Sequence, residues 1–288
     1  MSHGGWVARR HRVPGVSSLE VWNLPVWGRE LWQLLGAQRV DRVRRARIPE
    51  AELASRLTPV LAEALGILVP RHGVDAVWLS GGLACLENFE RLLDEVTLSL
   101  PCPVYVAEDP RFAPVRAGLK LLESARPASP VALDVGQTSI KCASPGALRV
   151  FERDTTALPL RLIGTPRPED GHHIPAAVRF ISGALRTFVD RDVAAAPDAL
   201  CLALPCPLDD ALVPGGGTYG WEGHSALVSD LLDATALPGP SGGGTVLVLN
   251  DAELAAEAAR EDARLGSHWR VLCLTLGFGP GGALLERG

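Results

Sequence analysis

Val131-Ala-Leu-Asp-Val-Gly-Gln-Thr-Ser-Ile-Lys141 decides the reading of this chain. A short apolar strand carries an acidic residue, Asp134. A tight turn with Gly136 and Thr138 follows, and a second strand starts near Ile140. Such a turn aims backbone N–H groups and a hydroxyl at a phosphate, while the carboxylate holds the accompanying Mg²⁺. An ordinary β-hairpin can contain the same residues, so the weight lies in what surrounds it.

Outward from that stretch the chain alternates strands and helices. Upstream, Leu53, Leu57, Val60, Leu61, Ala64, Leu65 and Leu68 recur at three and four after Pro49, a helical face stopped at His72-Gly73. Val74–Leu79 reads as a buried strand, Gly81-Gly82 as a turn, and Leu86–Leu93 as a helix. Val104–Val106 is a strand and Val115–Leu122 a helix. Residues 1–50 show little periodicity before a helical spacing over Trp27–Leu35. The stretch 123–130 has two prolines and reads as a connector. Downstream come strands at 131–135, 139–143 and 148–153, helix Ile174–Asp190, strand Ala199–Leu204, a Gly/Pro-rich stretch from Pro238 to Gly244, strand 245–249, helix Ala252–Leu265 and strands 271–276 and 283–286. This is an α/β pattern, expected in two lobes.

Composition narrows the classes. The 288 residues are 47% hydrophobic with a formal net charge of −5, which leaves no nucleic-acid footprint. Only two lysines occur, Lys120 and Lys141. The six cysteines form no C-x-x-C pair and read as reduced thiols. With no apolar leader and no apolar run of about 18 residues, a cytoplasmic location is expected, without a membrane partner.

Four further segments bear on chemistry. Leu276-Gly-Phe-Gly-Pro-Gly-Gly282 puts four glycines in six positions between two strands, where bare backbone can approach a phosphate. Asn250-Asp251 ends a strand and opens a helix. Asp251 is placed to cap that helix or to act as general base towards a hydroxyl attacking a γ-phosphate, with Asn250 orienting that hydroxyl. Ser80-Gly81-Gly82 follows a strand and allows a flat nucleoside to come close. Leu204-Pro-Cys-Pro-Leu-Asp209 is a proline-stiffened strand exit.

In order and spacing these segments resemble the sugar kinase/heat-shock chaperone/actin superfamily, and within it the ROK family of repressors, open reading frames and sugar kinases. The family's D-x-G-x-T-x-x-K turn is similar to Asp134–Lys141, its proline-rich exit to Leu204–Asp209, and its Trp segment to Tyr219-Gly-Trp221. Its N-D-A before a helix is similar to Asn250-Asp-Ala252 with Glu257, and its second phosphate turn to Leu276–Gly282. The order then breaks. The adenosine-side segment, here Val77–Leu93 followed by Pro103–Val106, and the L-E segment, here Ser18–Trp22 with Glu20, precede the first phosphate turn instead of following the second. The resemblance therefore implies a circularly permuted chain joined through 123–130, with Met1 and Gly288 as neighbours.

What the resemblance implies is a two-lobed actin-like ATPase (ribonuclease H-like) fold. One lobe would be 131–243, the other 1–122 together with 244–288. It implies an ATP-dependent kinase acting on a hexose or amino sugar. Asp134 would organise Mg²⁺. Gly136, Thr138, Lys141, Gly277, Gly279 and Gly281 would serve the phosphates, and Gly81 and Gly82 would border the adenosine. Asp251 would be the base, and Asn250 and Glu20 would hold the sugar. ATP, Mg²⁺ and a small sugar are the expected ligands, with no structural zinc and with a homodimer as one open assembly. Departures from the family are Gln137, Cys206, Phe278 and the absence of an E-x-G-H segment. They keep open a catalytically inactive nucleotide- or sugar-binding protein. No helix-turn-helix module precedes these parts, which argues against a DNA-binding repressor.

Overall fold

The computed structural model describes residues 2–3, 5–36, 48–158, 173–217, 219–240, 243–277 and 279–287. The chain forms two compact units. The first is Met1–Arg12 with Val115–Leu254, and the second is Val13–Pro114 with Ala255–Gly288. Each has its own apolar core.

The strands are β1 (Ser2–His3), β2 (Trp6–Arg10), β3 (Val16–Leu19), β4 (Pro25–Val26), β5 (Arg29–Glu30), β6 (Ala76–Ser80), β7 (Val104–Val106), β8 (Pro130–Val135), β9 (Ser139–Ser144), β10 (Ala147–Glu152), β11 (Ala199–Leu204), β12 (Gly244–Asn250), β13 (Arg270–Leu276) and β14 (Pro280–Glu286). The α-helices are α1 (Leu31–Leu35), α2 (Glu50–His72), α3 (Phe89–Thr97), α4 (Ala113–Glu123), α5 (Ile174–Asp192), α6 (Leu227–Thr235) and α7 (Asp251–Glu261).

The first unit holds the sheet β1-β2-β12-β11-β8-β9-β10. Strands β8, β9 and β10 form an antiparallel meander, while β11 and β12 run parallel to β8. All six residues of β11 and five of β8 are buried, as expected of central strands covered on both faces. Next to β12, β2 runs parallel to it, and β1 pairs antiparallel with β2 at the edge. Strand β2 alternates, with Trp6 and Ala8 buried and Val7 48% exposed.

The second unit holds the sheet β3-β14-β13-β6-β7. Here β13, β14 and β3 are antiparallel neighbours, and β6 and β7 run parallel to β13. Counting β8 and β13 as first strands, both sheets contain five strands in the order third, second, first, fourth, fifth, and the first sheet adds β2 and β1 beyond its fifth. In the first unit those five come in chain order. In the second, the third, fourth and fifth (β3, β6, β7) precede the first and second (β13, β14).

Helix α2 follows the expected apolar face and ends at Gly73, whose φ of 58° is the left-handed conformation that glycine takes at helix ends. By length and composition it could cross a bilayer, but Leu53, Leu57, Leu61, Leu65 and Leu68 pack into the core of the second unit.

Three expectations differ from what is found. The helix expected over Trp27–Leu35 is a hairpin, β4–β5, followed by the five-residue α1; Trp27 and Gly28 make the turn with φ of 49° and 74°. The expected division of 131–243 against 1–122 with 244–288 also differs. Residues 1–12, 115–122 and 244–254 belong with the first unit, because β2 and β12 pair into its sheet and Gly118 of α4 lies against Ala132 and Cys201. Finally, the helix expected to run to Leu265 stops at Glu261, and a 3₁₀ turn covers Ala263–Leu265. The departure at Phe278 and the expected proximity of Met1 and Gly288 lie outside the described residues.

Candidate functional site

The carboxyl edge of the first unit's sheet gathers six of the expected residues. Asp134 lies near the end of β8, register-paired with Ala203 on one side and Lys141 on the other. Lys141 Nζ lies 3.2 Å from Asp134 Oδ2, and both side chains are largely buried. One of the chain's two lysines thus sits opposite the carboxylate that the sequence singles out.

The turn between β8 and β9 is held from behind. Gly136 N–H donates to Ser139 O (2.9 Å). The Tyr219 hydroxyl donates to Gly136 O (2.8 Å), Arg153 Nη1 to Gln137 O (2.9 Å), and Arg153 N–H to Thr138 O (2.8 Å). The Arg153 guanidinium lies 4.0 Å over the Tyr219 ring, which stacks on Trp221 at 4.5 Å. Burial pushes the Tyr219 hydroxyl up to about 12, so it stays a donor. With those carbonyls, and the Gly136 N–H, taken by protein partners, the turn's chemistry towards a ligand rests on Thr138, whose hydroxyl and N–H are donors that suit an anion. Gly136 is required by space. A Cβ there would stand 2.9 Å from both Lys141 Nζ and Ser139 O. Arg153 escaped the sequence reading, since a single arginine after a strand carries no signal.

Asn250 and Asp251 join β12 to α7. Asn250 is buried and caps the helix: its Oδ1 accepts from Ala252 N–H (2.9 Å), and its own N–H donates to Glu253 Oε2 (3.0 Å), a capping box. Its Nδ2 donates to Cys206 O (2.9 Å) and Leu204 O (3.4 Å). The side chain expected to hold a sugar is instead engaged in tying the strand exit to the helix start. Asp251 Oδ1 accepts from Ala252 N–H (2.8 Å). Burial pushes its carboxyl up to about 7; the Asp134 carboxylate adds to this, and Lys141 opposes it. Asp134, Lys141 and Asp251 therefore act on one another. A carboxyl that gains and loses its proton near neutrality suits proton transfer.

The same shift bears on stability. In the unfolded chain this carboxyl titrates near 3.8, below its folded value, so ionisation opposes folding. Its contribution is fully present below the unfolded value and is lost as pH rises through about 7. Thermal unfolding followed from about pH 4 to about pH 8 is expected to show the wild-type chain losing more stability than Asp251→Asn. Parallel curves would contradict the burial of this charge.

The second unit gathers another set. Ser80 and Thr275 are register partners at the carboxyl ends of β6 and β13. Gly81 follows with φ of 99°, and a Cβ there would stand 2.6 Å from Leu276 O. Gly81 thus packs against the backbone of Leu276, the last residue of β13, and Gly277 and Gly279 lie between that strand and β14. Gly281 is not among them. It lies in β14 paired with Thr275, because the strand begins at Pro280. Beyond Gly82 opens a cavity of about 400 Å³ lined by apolar residues such as Ala84, Phe89 and Val106, by Cys85, and by the polar and charged Asn88, Glu90, Arg91 and Glu108. Glu20 is exposed just after β3, and among the described residues its carboxylate has no hydrogen-bond or ion-pair partner. Among the described residues no group of three or more His, Cys, Asp or Glu is arranged to hold a metal ion.

Compared with known proteins, this chain matches none of the protein-family models and none of the curated sequences.

Proposed function

We propose that this chain transfers the γ-phosphoryl group of ATP to a sugar hydroxyl, as a circularly permuted relative of the ROK sugar kinases with an actin-like ATPase fold. The observation that carries the reading is the cluster of Asp251, with its carboxyl near neutrality, and the Asp134–Lys141 pair at the carboxyl edge of one sheet. Ligands of open α/β sheets bind at that edge. The strand order supports the fold: an antiparallel meander with two parallel strands beside it occurs in both sheets, and in the second its last three strands stand first in the chain.

In this reading Asp251 accepts the proton of the attacking hydroxyl as the new P–O bond forms and the bond to the leaving ADP breaks. The turn at Gly136–Thr138 offers the Thr138 hydroxyl and N–H to phosphate, and Lys141 offsets negative charge. A nucleotide-borne Mg²⁺ takes one or two carboxylates with phosphates and water, and Asp134 beside the turn fits that donor set. When bound, the ion would neutralise charge on the phosphates. The cavity past Gly82 is of a size to take a nucleoside base.

A second reading, a binding protein without turnover, is favoured by one observation. Asn250 spends its side chain on Ala252, Leu204 and Cys206. One measurement separates the readings and a second tests both. Phosphate transfer from labelled ATP to a panel of hexoses and amino sugars is expected for the kinase and not for the binder. Cys85 is exposed, lines the cavity, and has its Sγ 3.7 Å from Gly81 O. Mg·ATP is expected to slow alkylation of Cys85 several-fold while leaving half-buried Cys102 unchanged. Unaltered Cys85 labelling together with no transfer to any sugar would remove both readings.

A further inference from the structure

Arg153 follows β10 directly, is buried, and aims two donors at backbone carbonyls. Its Nε donates to Leu158 O (2.8 Å) and its Nη1 to Gln137 O (2.9 Å). Leu158 O is a fixed acceptor, because the segment 154–158 closes on Asp154. The Oδ1 of Asp154 accepts from the Thr156 N–H (2.9 Å) and hydroxyl (2.6 Å), and its backbone O takes the Leu158 N–H (2.8 Å). A guanidinium anchored in this way holds Gln137 O in one place. A peptide unit is planar and trans, so its C=O and N–H point in opposite directions. Gln137 O and the Thr138 N–H belong to one such unit. The bond that holds Gln137 O therefore also aims the Thr138 N–H away from Arg153. Among the described residues no protein group takes that N–H. Tyr219 acts likewise on the preceding unit, since its hydroxyl holds Gly136 O. Its ring, packed on Arg153 and Trp221, leaves that hydroxyl no room to swing away.

We propose that Arg153 is a positioning residue for the turn Gly136–Thr138: through the Gln137–Thr138 peptide it sets the Thr138 N–H and hydroxyl against the polyphosphate of a nucleotide. The proposal rests on the reading of that turn as a phosphate site. The fork is what the role needs. Arginine reaches Leu158 O and Gln137 O at once from two nitrogens of one rigid plane, whereas a lysine ammonium is a compact point charge on a flexible stem. Lysine at this position keeps the charge and loses the fixed angle between the two bonds. Misplacing a ligand donor weakens the ligand it serves, here the polyphosphate. Asp251 and Asn250 hang from β12 and α7, and Arg153 makes no bond to either element. A change at Arg153 is therefore felt first on the phosphate side, whereas loss of a general brace would weaken both substrates together.

The test is titration calorimetry of the full chain with Mg·ATP and with inorganic tripolyphosphate, in wild type, Arg153→Lys and Tyr219→Phe. Steady-state phosphorylation of whichever sugar the wild type accepts follows. Arg153→Lys is expected to weaken both ligands about tenfold and to raise KM for Mg·ATP to match, while KM for the sugar stays within about twofold. Tyr219→Phe removes one hydrogen bond to the turn and is expected to weaken both ligands about threefold. Wild-type affinity in a folded Arg153→Lys overturns the proposal, and so does an equal rise in the two KM values. If Arg153→Lys does not fold, Tyr219→Phe decides alone, and unchanged affinity there overturns it. Weakened tripolyphosphate binding in a protein that phosphorylates no sugar would sink the kinase reading and leave the Arg153 link standing. Sugar phosphorylation with Mg·ATP affinity unmoved in the variants would do the reverse. A wild-type chain that binds neither ligand would overturn both.

Discussion

Asp251→Ala is expected to lower phosphoryl transfer on the order of 10²–10⁴-fold, the range for loss of a general base, while thermal stabilisation by Mg·ATP stays close to wild type. The separation follows from placement. Asp251 opens α7, and its half-buried carboxyl is pushed up to about 7 by desolvation and by the Asp134 carboxylate. The parts read as nucleotide-binding, at Gly136–Thr138 and at Gly81 with its cavity, lie on other elements. Full transfer in the alanine variant would remove Asp251 from the reaction. Loss of Mg·ATP stabilisation together with transfer would instead make it a binding residue. The helix start should survive, since Asn250 and Glu253 still form the capping box.

Gly81→Ala is expected to produce the largest loss of stability of any single methyl addition in the β6 turn. The backbone φ of 99° is one that L side chains rarely adopt, and the added Cβ would stand 2.6 Å from Leu276 O and 2.8 Å from Leu276 C and N. Neither neighbour is a flexible side-chain tip, so backbone must shift in β6 or β13. A strained backbone and a backbone clash together cost about 3 kcal/mol or more. Chemical denaturation should show this, with Gly82→Ala as the control, because a Cβ at Gly82 meets nothing within 4 Å. Equal stability of the two variants would contradict the close packing of the turn on Leu276. Under the kinase reading Gly81→Ala also weakens protection of Cys85 by Mg·ATP.

Local pattern is well written in this chain. The face of α2, with leucines at three and four and a glycine at its end, could be read directly, as could the wholly apolar strand Ala199–Leu204. Both signals are local: periodicity and composition within a dozen residues. The misses are as physical as the successes. Strand β2 is five residues with arginine at two of them, and its burial comes from a partner, β12, far along the chain. Trp27-Gly28 lies inside a helical spacing, yet two left-handed residues turn the chain into a hairpin there. Gly281 reads as part of a glycine loop, but the ladder with β13 claims it.

The amino-acid order alone specified most of the strands and helices beyond Pro49, and the acidic residues Asp134 and Asp251 at strand ends. Strand ends are where a sheet exposes chemistry, and that much is local. Folding alone decided that Lys141 faces Asp134, that Asn250 spends its amide on the strand exit, and that Arg10 reaches Glu253 across 243 positions of sequence. Those contacts depend on strand pairing between distant segments, and pairing is fixed by burial of whole faces, which no short window of residues records.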